Sequence, residues 1–189
     1  TRQISYSRGN LSFTSINLPR LAIESNHDEK LFYQKLDKMM ELVAQQLLDR
    51  FEIQASKRVY NYPFLMGQGV WIDSEKLSPT DEQREVLKHG TLTTGFIECL
   101  VALTGQHHGQ SAEAQRLGLE IVGHMRSYCD RVSKERGMNY TLIATPAEGL
   151  SGRFVRIDRA RYGVIPGVTD RDYYTNGFHV PVYFDISAY

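Results

Sequence analysis

The sequence is poor in several of the features that announce a function. Of its 189 residues only two are cysteines, Cys99 and Cys129. They form no CxxC pair, so neither a zinc site nor a disulfide framework is spelled out. Both read as thiols packed among apolar neighbours in a reducing cytoplasm. Charge of one sign is also missing: 22 basic residues face 22 acidic ones. That balance gives no reason to expect a nucleic-acid or membrane surface. No apolar run reaches the roughly 18 residues of a membrane span. TRQISYSRGN at the start is neither a signal nor a transit peptide. There is no P-loop, no HExxH and no nucleophile elbow. An initiator Met is also lacking, and HVPVYFDISAY at the other end reads as a strand still in progress. The expectation is an internal piece of a longer chain, forming a single body over residues 1–189.

What is present is enough apolar material, 41% of residues, for a packed core. The chain is organised around NYTLIATPAEGLSGRF, Asn139 to Phe154. It begins as a strand and turns into a helix start. Thr145 is placed to cap that helix, Pro146 suits its first position, and Glu148 completes a capping box. Gly149 and Gly152 each weaken a helix by about 1 kcal/mol, which points to a backbone or a ligand coming close. Two accounts stay open on local grounds. One is a capped helix after a core strand. The other is an anion cradle made of free N–H groups and the positive helix end.

Earlier, residues 8–18 read as a strand stopped by Pro19, with Asn10 at its start and Asn17 near its end. His27 to about Gln54 is a long amphipathic helix with Phe32, Leu36, Met39, Val43 and Leu47 inward, capped by Asn26 or Asp28. Residues 57–71 mix strand and loop; Gly67 and Gly69 fall short of a dinucleotide fingerprint. Ser78 to Asp81 opens a short helix to about Lys88. Residues 90–96 form a Thr-rich strand, and a helix runs from Ile97 to Leu103. His107 and His108 are adjacent and so share no helix face, which argues against a metal site. Ser111 caps a second long helix striped by Ala114, Leu117, Ile121, Met125, Tyr128 and Val132. A last strand is expected over Phe178 to Ile186. Strands alternating with long helices predict an α/β fold, with crossover helices outside a mainly parallel sheet or barrel.

Six runs, RGNLSFTSINLPRLAIE, FLMGQGVW, LKHGTLTTGFI, ALTGQHHG, NYTLIATPAEGLSGRF and YGVIPGVTDRDYYTNGFHVPVYF, together resemble anaerobic (class III) ribonucleoside-triphosphate reductase, a glycyl-radical enzyme. The resemblance covers nearly the whole chain. It implies part of a ten-stranded α/β barrel. It also implies the reduction of ribonucleoside triphosphates by a cysteine thiyl radical, with formate as reductant. The glycyl radical would be installed by an activase using S-adenosylmethionine and an iron–sulfur cluster. A four-cysteine zinc site, allosteric ATP or dNTP and a homodimeric parent come with the family.

By the same resemblance, Asn10 in RGNLSF matches the family's active-site asparagine, which would hydrogen-bond the substrate ribose. An amide suits that position because it stays neutral and both donates and accepts. The ATPAEGLSG turn implies substrate-phosphate contacts at Thr145, Ala147, Glu148, Gly149, Leu150 and Ser151, mainly through backbone N–H groups. Glu148 would serve the capping box and point its carboxylate away. No cysteine precedes Asn10, and neither Cys99 nor Cys129 matches the thiyl position. The glycyl-radical motif, the zinc cysteines and the N-terminal regulatory region have no counterpart here. Where the family reads GFIGLAE this chain reads GFIE at Gly95 to Glu98, either a short deletion or residues missing from the sequence. The expectation is a piece of the enzyme that does not turn over by itself. Two alternatives are a glycyl-radical enzyme of formate-lyase type and a non-catalytic nucleotide-binding or interaction piece.

Overall fold

A computed structural model describes residues 9–146, 148–177, 179–185 and 187, with the Glu148 side chain left out. The elements are β1 (Asn10–Ile16), α1 (Leu18–Ser25), α2 (Glu29–Ala55), α3 (Arg84–Leu87), β2 (Thr91–Phe96), α4 (Leu100–Thr104), α5 (Ala112–Arg136), β3 (Asn139–Ala144) and α6 (Glu148–Tyr162). The strands make one sheet in the order β1-β2-β3. Thr91 N–H donates to Gly9 C=O where β1 and β2 begin, and Thr145 N–H donates to Phe96 C=O where β2 and β3 end. All three strands therefore run parallel, and each crossover is helical, as a parallel sheet requires.

The chain divides into two compact units, described separately. Unit 1 holds Thr1–Thr14, Glu41–Thr94 and Ser127–Leu142; unit 2 holds Ser15–Met40, Gly95–Arg126 and Ile143–Tyr189.

In unit 1 the second half of α2 buries Val43, Ala44, Leu47, Phe51 and Ala55. The Tyr140 hydroxyl donates to Ala44 C=O at 3.1 Å. Trp71 is buried, with its indole N–H donating to Val86 C=O at 2.8 Å. The Asn139 amide faces the carbonyls of Lys88, His89 and Gly90 at 3.1 to 3.3 Å, which fixes the start of β2. The strand expected within residues 57–71 is replaced by a 3₁₀ turn at Val59–Asn61 and further turns. This stretch is tied to residues 79–83 by an isolated bridge between Arg58 and Glu82 and by Val59 N–H to Asp81 C=O at 3.0 Å and Tyr60 N–H to Pro79 C=O at 2.9 Å. The helix expected from Ser78 begins instead at Arg84. Asp81 takes the Ser78 N–H on its own side chain at 2.8 Å, a tight turn in place of a cap.

In unit 2, Pro19 does not simply stop β1. It stands in the first turn of α1, where its missing N–H costs nothing. Asn17 caps this helix, accepting from Arg20 N–H at 3.2 Å. Asn26 ends α1 in the left-handed conformation, and Asp28 caps α2 by accepting from Leu31 N–H. Phe32, Leu36 and Met40 are buried. Met40 takes the inward place that the sequence reading gave to Met39, because it follows Leu36 by four residues. On the part of α5 that belongs to unit 1, Cys129 likewise replaces Tyr128 in the buried stripe. A small core of Ile97, Val155 and Tyr174 is closed by Phe154 and Val168. Residues 179–185 form no strand; Phe184 N–H turns back to Pro181 C=O at 2.8 Å. The rest of that expected strand, Phe178 and Ile186, lies outside the described residues.

Candidate functional site

The strand-to-helix turn at residues 144–151 belongs to unit 2. Thr145 is 1% exposed. Its N–H extends the sheet by bonding Phe96 C=O at 2.9 Å, and its hydroxyl meets that of Ser15 at 2.9 Å. Thr145 is therefore not the helix cap: both its polar groups are spent on partners distant in sequence, and α6 begins three residues later, at Glu148. The expected capping box rests on the Glu148 side chain. Ala147 and the Glu148 side chain lie outside the described residues.

The first-turn amides of α6 are those of Glu148, Gly149 and Leu150, which have no acceptor within the helix. Gly149 is exposed, and a side chain built there would meet nothing within 4 Å. The space in front of this turn is open. Gly152 has a different reason to be glycine, since a methyl group there would approach Asp172 C=O at 3.3 Å. Ser151 is buried on the inner face.

Asn10 belongs to unit 1, at the exposed start of β1. Its Oδ1 accepts from the Thr93 hydroxyl at 2.9 Å and, more weakly, from Thr91 at 3.4 Å. Thr93 also meets the Thr141 hydroxyl at 2.9 Å. The threonines orient the amide by its oxygen.

Spacing could not place Asp158, and the structure does. It is fully buried on α6 and accepts from Arg20 Nε at 2.7 Å, Asn17 Nδ2 at 2.7 Å and the Tyr174 hydroxyl at 2.9 Å. Burial first, and then the Asp158 charge, push the Tyr174 phenol upward, so it stays a donor.

Glu98 is half-buried between a cavity of about 30 Å³ and an apolar one of about 230 Å³. Burial pushes its carboxyl up to about 7, against a smaller opposing pull from the Leu100 N–H. The Cys99 thiol is buried and raised well above its ordinary range by loss of solvent. Cys129 is buried too. His107 is buried, and its Nδ1 accepts from Gly109 N–H at 3.1 Å. Among the described residues no group of three or more His, Cys, Asp or Glu is arranged to hold a metal ion, and no helix is long and apolar enough to cross a membrane.

Comparison with known proteins accounts for this arrangement. The anaerobic ribonucleoside-triphosphate reductase family model matches residues 2–189. The Escherichia coli K12 protein of that name is 36% identical over 193 residues, covering 99% of this chain, and the phage T4 protein is 29% identical. The chain spans 27% of the length of the Escherichia coli relative. Among solved structures, the Thermotoga maritima anaerobic ribonucleotide reductase with citrate in its active site superimposes with a TM-score of 0.67. It shares 19% identity and covers 94% of this chain and 31% of its own. The same enzyme with dATP in its specificity site gives a TM-score of 0.66 at 19% identity. Their fold is this fold, and with the family match along almost every residue, the chain belongs to the anaerobic ribonucleoside-triphosphate reductases.

Proposed function

We propose that these 189 residues are the substrate-holding part of an anaerobic ribonucleoside-triphosphate reductase barrel, which converts ribonucleoside triphosphates to deoxyribonucleoside triphosphates. The observation that carries this reading is the first turn of α6: amides with no acceptor inside the helix and an exposed glycine shortly after a parallel strand. A helix start of this kind receives phosphate through backbone N–H groups and the helix dipole. Glu148, Gly149 and Leu150 would supply the amides. Thr145 and Ser151, both buried, would support the turn from behind. Ala147 completes the segment. Asn10, turned by Thr93, would donate its NH₂ to a ribose hydroxyl.

The overall reaction is balanced by formate. The ribose 2′-hydroxyl leaves as water, hydrogen replaces it, and formate is oxidised to carbon dioxide with uptake of one proton. The family's radical chemistry, begun at a glycyl radical set by a radical activase, would supply the hydrogen-atom transfers. Neither thiol here suits the thiyl role. Neither lies on a loop: Cys99 is buried at the start of α4 and Cys129 is buried within α5. Two cysteines also do not fit the family's four-cysteine zinc site, so no step runs through zinc. The barrel's remaining strands, the allosteric dNTP site, the homodimer and a cytoplasmic location belong to this reading as proposals. By themselves the 189 residues bind nucleotide without reducing it.

The test is calorimetry with a ribonucleoside triphosphate beside a nucleotide-reduction assay with activase and formate. Triphosphate binding without turnover is the expected result. Absence of heat at millimolar nucleotide would leave only a capped helix, and measurable turnover would refute the assignment of the thiols.

A further inference from the structure

Asp158 is 0% exposed, a position that a carboxylate occupies only when fully partnered. Two other segments of unit 2, α1 with its cap and the stretch holding Tyr174, converge on it. Arg20, on α1, brings Nε to 2.7 Å and a terminal guanidinium nitrogen to 2.6 Å from Oδ1. Asn17, which also caps α1, brings its amide to 2.7 Å from Oδ2. Tyr174, beyond α6, donates to Oδ2 at 2.9 Å. One turn further along α6, the Tyr162 hydroxyl donates to Glu24, itself bonded to Lys35 at 3.0 Å.

Ser151, Val155, Asp158 and Tyr162 follow one another at steps of four, three and four, so they share a face of α6. Asp158 and Tyr162 carry the polar clasps of that face, and Val155 packs in the turn before them. An apolar residue at 158 would seal the same space, and replacing a buried ion pair in this way is often neutral or stabilising. What apolar contact does not give is direction. Hydrogen bonds weaken steeply away from their preferred length and angle. Three of them on one carboxylate, with the ion pair to Arg20, therefore fix both the rotation of α6 about its axis and its position along it. Rotation of a rigid helix at Asp158 re-aims its first turn by the same angle.

We propose that Asp158 is a positioning residue for the phosphate site: clasped by Arg20, Asn17 and Tyr174, it aims the amides of Glu148, Gly149 and Leu150. The inference rests on the reading of α6 as a phosphate cradle.

The test compares Asp158→Asn with the unaltered 189-residue chain, titrating each by calorimetry with ATP and with adenosine, and recording the melting temperature. Asparagine keeps the size but sets an NH₂ against the Asn17 donor. The expected result is ATP binding weakened about tenfold, the loss of a hydrogen bond to a charged group, with adenosine affinity unchanged. A purely structural role would lower the melting temperature and leave the ATP-to-adenosine ratio where it was, which overturns the proposal. If Asp158→Asn fails to fold, Tyr174→Phe replaces it. That variant removes one hydroxyl and keeps the ring, and the same ratio decides: a fall of a few-fold supports the clasp, an unchanged ratio overturns it. In the unaltered chain, ATP binding no tighter than adenosine sinks the cradle itself and this proposal with it. Discrimination that persists in the variant sinks only the positioning role.

Discussion

A methyl group on Gly67 would lie 2.5 Å from the carbonyl oxygen of Pro63. The neighbour is backbone, so relief requires the turn around residues 63–67 to open, and that turn carries the bond from Met66 N–H to Tyr62 C=O at 2.9 Å. Gly67→Ala should destabilise unit 1 by about 1–3 kcal/mol, the range for overpacking. Urea denaturation followed by Trp71 fluorescence reads it directly, since Trp71 N–H closes the same loop on Leu65 C=O at 2.9 Å. A midpoint equal to that of the unaltered chain would show that the turn is more compliant than this contact allows.

Gly149→Ala should behave in the opposite way in the fold and against the ligand. Nothing lies within 4 Å of the added methyl, and alanine favours a helix over glycine by about 1 kcal/mol. Stability should therefore rise slightly. The same methyl stands before the amides proposed to meet phosphate, so ATP affinity should fall while adenosine affinity holds. Stability and ATP affinity rising together would place the phosphate elsewhere.

The Arg20–Asp158 pair should respond unequally to loss of either member. Removing the cation by Arg20→Ala leaves a buried carboxylate with, among the described residues, the neutral donors Asn17 and Tyr174. Stranding a buried charge costs about 3–5 kcal/mol. Asp158→Asn instead leaves a guanidinium whose side chain is 28% exposed and is still solvated. It should cost clearly less. Equal losses in chemical denaturation would mean that Asp158 is neutralised by some other route.

How far the sequence foretold the molecule depends on where each residue's partners lie. The stripes of α2 and α5 were legible because their partners sit three or four residues away. They erred only at Met39 and Tyr128, by one residue each. The parallel alternation of strands and helices was legible for the same reason. Thr145 was misread as a cap because Ser15 and Phe96, which engage it, are 130 and 49 residues distant, and no local pattern carries that information. α1 was missed because Pro19 suits both the end of a strand and the first turn of a helix. Asn17 could have settled the choice, since an Asn directly before Leu-Pro is a cap signature. Asp158 could not be foreseen as a hub at all: its partners come from residues 17, 20 and 174. Asn10 and the Thr145–Ser151 segment were located by resemblance to a family, with local physics leaving the second of them undecided.

Glu98 makes stability depend on pH near neutrality. Its carboxyl is pushed up to about 7 in the folded chain because it lies in a poorly solvated wall, with the Leu100 N–H the only group pulling it back. In the unfolded chain it titrates near 4.5. Between those values the folded state holds a proton that the unfolded state has released. Stability from this group is therefore fully present below about 4.5, falls as pH rises toward 7, and is flat above that. The total loss is on the order of 3 kcal/mol, at about 1.4 kcal/mol per pH unit across the window. Glutamine keeps an oxygen for the Leu100 N–H and carries no charge at any pH. Glu98→Gln should therefore match the unaltered chain near pH 5 and exceed it near pH 8. Denaturation midpoints at the two pH values check this. A variant that is less stable at pH 8 would mean that the Glu98 carboxylate has a cationic partner when ionised.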